Sequence, residues 1–201
     1  MQSVDIELAR EPHLARYQVV IRVAVAFVFA VVGITAHSIF IALYIALPVV
    51  AAIAIASRHR WLEADGPRLW RAMSWLLQLA AYMAFLVEHV PGIPPCEAKV
   101  ALHTRGTPSG GEAVLRLVTS IPSAFVLAVL SMAGTILWLV SAVYVLVRGA
   151  LPEWLRGFQL ALLRWTARLV AYHASLTDQY PPFRIDTDVD EAQAVHEPVT
   201  C

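Results

Sequence analysis

The side chains best suited to chemistry lie near the end of the chain. Arg164 and Arg168 are four residues apart, and the segment LTDQYPPF, residues 176–183, follows them with Asp178 and Tyr180. Residues four apart share a helix face, and arginine binds phosphate or carboxylate through paired hydrogen bonds. These four side chains are therefore a candidate site for a lipid head group or a partner chain.

The same segment has an architectural interpretation, which the pattern favours. Pro181 and Pro182 cannot continue a helix, and Asp178 can end one. Phe183 would then return to the apolar layer. On this interpretation the segment turns the chain away from the membrane, and Asp178→Asn is expected to be mild.

No residue pattern indicates catalysis, a cofactor or a metal. The sequence contains no apparent nucleophile and base pair, no phosphate-binding loop and no HExxH motif. His37 is predicted on the opposite side of the membrane from His89 and His173, so these residues do not form a pair of haem ligands. Cys96 and Cys201 are far apart and are expected to be free thiols. We expect a protein that is not an enzyme.

The composition is typical of an integral membrane protein. Of 201 residues, 59% are hydrophobic and 15% are charged. The formal net charge is zero, which argues against a nucleic-acid partner. Residues 1–18 carry three acids and no apolar core, so the first membrane helix is expected to act as the insertion signal.

Two long apolar runs predict four membrane spans. Residues 19–56 contain one charge, Arg22, and as one helix would be about 57 Å long, nearly twice the roughly 30 Å hydrocarbon layer. The second run follows Arg116, and turns are predicted at 33–38 and 131–135. The predicted spans are about 19–36, 38–56, 115–131 and 134–148.

Charge placement predicts the orientation of these spans. Four arginines follow each hairpin, and both hairpin turns are uncharged, which places both termini in the cytoplasm of a bacterial cell with the spans in its inner membrane. An alternative treats 72–87 as a fifth span, but it would put the arginines after residue 147 outside. Arg22 and Arg116 lie near the boundary, where their side chains can reach water, although a charge in a span is a functional candidate.

Two segments of the sequence that lie 90 residues apart resemble each other. WLLQLAAYMAFLVEHVP at 75–91 and WTARLVAYHASLTDQYP at 165–181 share seven identities in 17 positions. We therefore predict two tandem units, residues 1–97 and 98–185, and a disordered acidic tail, 186–201.

The predicted fold class is an all-α integral membrane protein of two tandem units. Each unit has a transmembrane helical hairpin, an interfacial amphipathic helix and a short cytoplasmic strand. The interfacial helices are expected at about 67–89 and 152–177, and the strands at 4–8 and 100–104. In the second helix the two arginines would face lipid phosphates, whereas the first helix would be buried against protein.

The run GALPEWLRGFQLALLRWTARLVAYHASLTDQYPPF, residues 149–183, carries a family resemblance. It resembles an uncharacterised family of small bacterial inner-membrane proteins, a domain of unknown function. Its Arg-Trp-x-x-Arg-x-x-x-Tyr core and terminal Leu-Thr-Asp-x-Tyr-Pro-Pro-Phe carry the match. The first unit resembles the family weakly, through Trp75, Tyr82 and Glu88. The resemblance implies tandem membrane units and no known activity.

Two functions remain as hypotheses. The first is a non-catalytic scaffold or accessory subunit of a membrane assembly, with lipid, other membrane subunits or a second copy as partners. The second is a lipid- or ion-handling module with a head-group site at the cytoplasmic interface. The absence of an acid or base inside the predicted spans disfavours the second.

Overall fold

A computed structural model describes residues 4–8, 14–31, 36–58, 65–92, 98–102 and 110–180, and this part of the chain is mostly helical. The elements are β1 Val4–Leu8, α1 Tyr17–Val31, α2 Ala36–Arg58, α3 Gly66–Met83, β2 Ala98–Leu102, α4 Gly110–Thr119, α5 Ile121–Arg148 and α6 Glu153–His173. The predicted turn at 33–38 lies partly outside the described residues. The Pro181–Phe183 step, the acidic tail and both cysteines lie wholly outside them.

Helix α5 is the most apolar long element. Among the described residues it alone is long and apolar enough to cross a membrane, while α1 and residues 41–56 of α2 form shorter apolar helices. At about 1.5 Å per residue its 28 residues extend about 42 Å. Pro122 is tolerated in its first turn, and Gly149, with φ of +74°, ends it in the left-handed conformation.

The turn predicted at 131–135 is wrong, because α5 continues through these residues. Thr135 donates its hydroxyl to the Ser131 carbonyl, 3.0 Å away, so a polar side chain is satisfied inside the helix. The break comes instead between α4 and α5, where Pro122 has no N–H for a helical bond. Small and hydroxyl residues were therefore a poor turn signal within an apolar run.

Helix α6 lies alongside α5 and runs antiparallel to it. Gln159 Nε2 donates to Ser141 Oγ at 2.7 Å, and near the other end Leu127 of α5 packs against Trp165 and Leu169 of α6. Between these contacts, a Cβ on Gly134 would lie 2.9 Å from a methyl group of Leu162. A helix lying across the end of α5 could not make all these contacts, so α6 packs along the length of α5.

The centre of the fold is α6, most of whose 21 residues are buried. It packs against α2, α3, α4, α5 and β1. Helix α3 buries one side through Trp70, Met73 and Leu77, as the sequence predicted for the first amphipathic helix.

The two strands form an antiparallel ribbon with Ile6 opposite Val100 at its centre. Strand β1 occupies its predicted residues, and β2 begins two residues earlier than predicted. Val4, Ile6 and Leu8 alternate into the core, as expected for a strand with one buried face.

Several elements of each half of the chain, residues 4–92 and 98–180, pack against elements of the other half. Strand β1 packs on α6 of the second half, and β2 packs on α3 of the first half. In the same way, α1 packs on α5, and α2 packs on α4. Helices α1 and α2 thus pack on helices of the other half, and α5 packs both on α1 and on α6 of its own half, whereas the sequence predicted a hairpin inside each half.

Candidate functional site

Arg116 of α4 holds the chain that leaves α6. Its Nη1 donates to the Tyr172 carbonyl at 3.1 Å and to the Thr177 carbonyl at 2.8 Å, and its Nη2 donates to Asp178 Oδ1. The guanidinium carbon lies 4.9 Å from the Tyr172 ring centroid. We call these four residues the Arg116 cluster. The arginine is buried, so its charge is compensated by one carboxylate and two carbonyl groups.

The C-terminus of α6 is formed by backbone contacts upstream of Asp178. The helix ends at His173, and Ser175 follows with φ of +53°, which is uncommon for a residue other than glycine. The N–H of Leu176 donates to the Ala171 carbonyl at 3.1 Å. The prediction that Asp178 ends the helix is therefore wrong, since the helix ends earlier and Asp178 binds Arg116.

Arg22 of α1 makes corresponding contacts at the end of α3. Its Nη2 donates to the Val87 carbonyl at 2.7 Å, and its guanidinium carbon lies 4.1 Å from the Tyr82 ring centroid and 4.6 Å from that of Phe85. We call these four residues the Arg22 cluster. Arg22 and Arg116 are both buried, so the prediction that they reach water is wrong.

The two clusters repeat the same local structure. Arg22 binds the carbonyl of residue 87 and stacks on Tyr82, and Arg116 binds the carbonyl of residue 177 and stacks on Tyr172. A residue other than glycine with positive φ follows each helix, Phe85 after α3 with φ of +61° and Ser175 after α6 with φ of +53°. The contacted positions are therefore shifted by 90 residues, like the matching sequence.

Two aromatic side chains, one from each half, contact the C-terminal end of α3 or α6 in the other half. Trp138 of α5 donates Nε1–H to the Met83 carbonyl at 2.7 Å, and its ring lies 5.8 Å from that of Phe85. Tyr44 of α2 lies 4.4 Å from the imidazole of His173, measured between ring centroids. Each half thus reaches the helix end of the other half.

A buried polar group surrounds His173. Its Nδ1 lies 2.9 Å from the Leu169 carbonyl and its Nε2 lies 2.9 Å from Ser120 Oγ. Ser120 Oγ is 3.0 Å from the Tyr44 hydroxyl and also contacts the Arg116 carbonyl. Burial lowers the pKa of His173, the bond to the Leu169 carbonyl opposes this effect, and the positive charge of Arg116 lowers the pKa further.

The His173 group was not predicted from the sequence, because its side chains come from α2, α6 and the residue between α4 and α5. Ser120 and His173 do form a hydroxyl and imidazole pair, which the sequence had not indicated. Both side chains are at most 1% exposed, however, so the pair faces protein and not solvent. Its chemistry in this structure is hydrogen bonding.

The predicted site residues separate into two places. Asp178 joins the Arg116 cluster, and Tyr180 lies beside it, accepting a hydrogen bond from Ser123 Oγ at 2.9 Å. Arg164 and Arg168 lie within α6, where Arg164 is half-buried and Arg168 is 4% exposed. The outward orientation predicted for Arg168 is therefore wrong.

Sequence reasoning also missed the partner of Asp178, which is Arg116. The equivalence of Arg22 and Arg116 was the available signal, because two such charges in apolar helices require internal partners. In the described parts of the chain, no group of three His, Cys, Asp or Glu side chains is arranged to hold a metal.

Comparison with known families assigns one part of the chain. Residues 111–184 match a domain of unknown function, DUF4389. This confirms the expected resemblance for the second half at the level of an uncharacterised domain, and the matched segment contains the Arg116 cluster together with Ser120 and His173. No curated protein and no solved structure matches the chain.

Proposed function

We propose that this chain is a non-catalytic, multi-pass protein of a bacterial inner membrane that acts as a scaffold or accessory subunit of a membrane assembly, with both termini in the cytoplasm. The observation that carries the proposal is the contrast between its outer and inner surfaces. The outer sides of α1, α2 and α5 are apolar, whereas buried polar groups join helix ends inside the protein.

The outer side of α5 gives the clearest support for contact with lipid. Phe125, Met132 and Ile136 are 69%, 72% and 66% exposed, and Leu139 and Val143 continue the same stripe. No charge lies in α5 before Arg148. Phe27 of α1 is 69% exposed as well. Water-exposed apolar surface of this extent is unusual in a monomeric soluble protein, so lipid or another membrane subunit is the expected environment.

The internal polar contacts favour a structural role. Arg22 joins α1 to the end of α3, Arg116 joins α4 to the end of α6, and Trp138 joins α5 to α3. Gln159 joins α6 to α5. Each donor connects two elements of the fold, which is the arrangement expected of a scaffold that must hold helices in fixed positions.

We infer that the two halves are tandem units related by an approximate two-fold axis. The Arg22 and Arg116 clusters and the reciprocal packing of β1 on α6 and β2 on α3 support this inference. An antiparallel pair of equivalent strands has such an axis at its centre, here between Ile6 and Val100. Since both units are expected to have the same orientation, the axis would run along the membrane normal.

The scaffold proposal is tested by purification in mild detergent, chemical crosslinking in intact membranes and native mass spectrometry. A stable complex, with a second copy or with other membrane proteins, is expected. The matched pair of variants is Met132→Ser on the outer face of α5 and Ser74→Ala on α3, whose hydroxyl bonds within its own helix. Loss of the complex in the first variant alone would support an interface on α5. A lone monomer in every condition would refute the proposal.

The lipid- or ion-handling module remains the second candidate, because Asp178 keeps 45% side-chain exposure while it is paired with Arg116. Arg164 and Tyr180 are half-buried and could also reach a head group. Native mass spectrometry separates the candidates through Asp178→Asn and Arg164→Ala, with Arg71→Ala as a control at an exposed arginine of α3. Lipid that is lost from both variants but retained by the control would favour the module, and ion flux in liposomes would identify transport.

A further inference from the structure

The start of α1 is joined to the end of α5 by two hydrogen bonds. The N–H of Leu14 donates to the Gly149 carbonyl at 3.0 Å. Two residues further along, Arg16 Nη2 donates to the Val147 carbonyl at 3.3 Å. A buried cluster continues this pairing along both helices, so α1 and α5 run antiparallel from this junction.

The junction brings two arginines to one place on the surface. The Val147 carbonyl that accepts from Arg16 is bonded to the backbone nitrogen of Arg148, so the Arg16 guanidinium lies within about 5.5 Å of that nitrogen. The guanidinium carbon of Arg148 lies 5.6 Å from the ring centroid of Tyr144, one turn earlier in α5. Both arginines are exposed, and they come from different halves of the chain.

In the parts of the chain that the structure describes, no carboxylate forms an ion pair with either arginine. Glu153, the first acid after Arg148, is exposed and pairs with neither of them. The carbonyl groups at the C-terminus of α5 offset part of the positive charge. The remaining charge favours an anion from outside the chain.

The two guanidinium groups keep hydrogen-bond donors for such an anion. A guanidinium has five N–H groups in one plane. The contact with Tyr144 uses the face of the Arg148 group, and the bond to the Val147 carbonyl uses one N–H of Arg16. Arginine binds phosphate through pairs of parallel hydrogen bonds, and two adjacent guanidinium groups can share the oxygens of one phosphate.

The surface beside the arginines is apolar. Val20 lies one turn after Arg16, Val143 lies one turn before Val147, and both valines are exposed. Because α1 and α5 are antiparallel, the two valines lie at about the same level, roughly 6 Å from the arginines toward the middle of α5. A ligand with a phosphate group and an apolar chain fits this arrangement better than free phosphate does.

Two exposed aromatic side chains lie close to the arginines in the sequence. Tyr17 follows Arg16 directly, and Trp154 lies in the first turn of α6, six residues after Arg148. Tyrosine and tryptophan are enriched at the depth of lipid head groups, because their rings are apolar and carry one polar group. Their presence favours a membrane lipid as the source of the phosphate.

We propose that Arg16 and Arg148 form a binding site for the phosphate group of an anionic lipid, whose acyl chains lie along Val20 and Val143. The site rests on the membrane location proposed above, in which this end of α5 faces the cytoplasm. It lies at the opposite end of α5 from the Arg116 cluster. A bound lipid bridges the two halves of the chain, because each half supplies one of its arginines.

The test is native mass spectrometry of the full chain in mild detergent, with dioleoyl phosphatidylglycerol and dioleoyl phosphatidylcholine added in equal amounts. Wild type should retain phosphatidylglycerol selectively. An arginine near anionic lipid contributes about fivefold to binding, so Arg16→Gln combined with Arg148→Gln should weaken phosphatidylglycerol binding roughly 25-fold. Phosphatidylcholine binding should not change. Unchanged selectivity in the double variant would overturn the proposal.

The matched control is Arg68→Gln combined with Arg71→Gln on α3, which removes the same charge from two exposed arginines. This variant should bind phosphatidylglycerol like wild type, because Arg68 already has Asp65 at 3.6 Å. An equal loss in both double variants would show a general charge effect and would overturn the site. Arg148→Gln alone keeps the bond between Arg16 and Val147, and it should weaken binding about fivefold in a chain that folds normally.

Two further measurements separate the alternatives. Inorganic phosphate in large excess should not displace phosphatidylglycerol, and displacement would assign the site to free phosphate and overturn the lipid. Alkaline extraction of membranes measures the location of the chain independently. A chain that leaves the membrane would refute the membrane location itself, whereas a retained chain with unchanged lipid selectivity in the double variant would refute only this site.

Discussion

Replacement of Ile136 by arginine tests most directly whether the outer side of α5 faces lipid. Ile136 is 66% exposed on the outer stripe of the helix. The helix has 28 residues, and Ile136 lies roughly 2 Å from its midpoint along the axis. If α5 crosses the membrane, this position lies near the centre of the hydrocarbon layer.

The expected cost follows from transfer of the two side chains. Arginine at the centre of a membrane helix costs about 2.5–3.5 kcal/mol on the insertion scale, and the loss of isoleucine removes about 0.3–0.6 kcal/mol of favourable transfer. The sum is about 3–4 kcal/mol, which corresponds to roughly a hundredfold to a thousandfold change in the insertion equilibrium. Stretching of the arginine side chain toward the boundary reduces the effect.

The assay is the fraction of folded protein in purified membranes, measured by fluorescence of a C-terminal fusion and by size exclusion in detergent. Trp154→Arg is the matched control, because Trp154 is also exposed but lies beyond the end of α5, where a charge costs little. Ile136→Arg should lower the folded membrane fraction severely, and Trp154→Arg should be close to wild type. Wild-type levels for both variants would show that the outer side of α5 does not face lipid.

Three further changes probe the internal contacts. Asp178→Asn should lower the unfolding free energy by about 1 kcal/mol, because Arg116 keeps its two carbonyl acceptors and the Asp178 carboxylate is partly solvated. A loss above about 3 kcal/mol, measured by denaturant unfolding, would contradict this expectation. Gly134→Ile should separate α5 from α6 and lower the melting temperature by several degrees, whereas Gly134→Ala should be mild because it meets only a flexible methyl group. Cysteines in place of Ser141 and Gln159, in a chain otherwise without cysteine, should crosslink with a short reagent, and no crosslink would argue against the side-by-side packing of the two helices.

Periodicity and composition predicted the elements better than their arrangement. The apolar runs and amphipathic segments predicted the presence of helices α1, α2, α3 and α6 and strand β1, because local hydrophobic patterns determine them, although α1 and α3 end earlier than predicted, at Val31 and Met83. The turn at 131–135 failed because Gly134 serves close packing against α6 and does not bend the chain. The exchange of packing partners between the halves was not accessible, since apolar helices carry no mark of which neighbour they contact.

The candidate site was predictable only in its parts. Asp178 and Tyr180 stood out because they differ from their apolar surroundings, but the sequence could not show that Asp178 binds Arg116, 62 residues away. Arg168 was assigned to the surface by a helical wheel, which reports amphipathicity and not what covers each face. Burial of both faces of α6 is a tertiary property, because five other elements surround that helix.

The two halves share the same backbone structure at the ends of α3 and α6 but differ in the side chains at those ends. At the end of α3, Arg22 is enclosed by the rings of Tyr82 and Phe85, and the neighbouring position is Met83, which cannot titrate. At the end of α6, the left-handed position holds Ser175, and the position of Met83 holds a histidine in contact with a serine and a tyrosine. The same backbone structure therefore carries an apolar side chain at one helix end and a buried, hydrogen-bonded histidine at the other. Because the backbone contacts of Arg22 and Arg116 are alike at both ends, these contacts and not the side chain at position 83 or 173 are expected to hold each helix end in place.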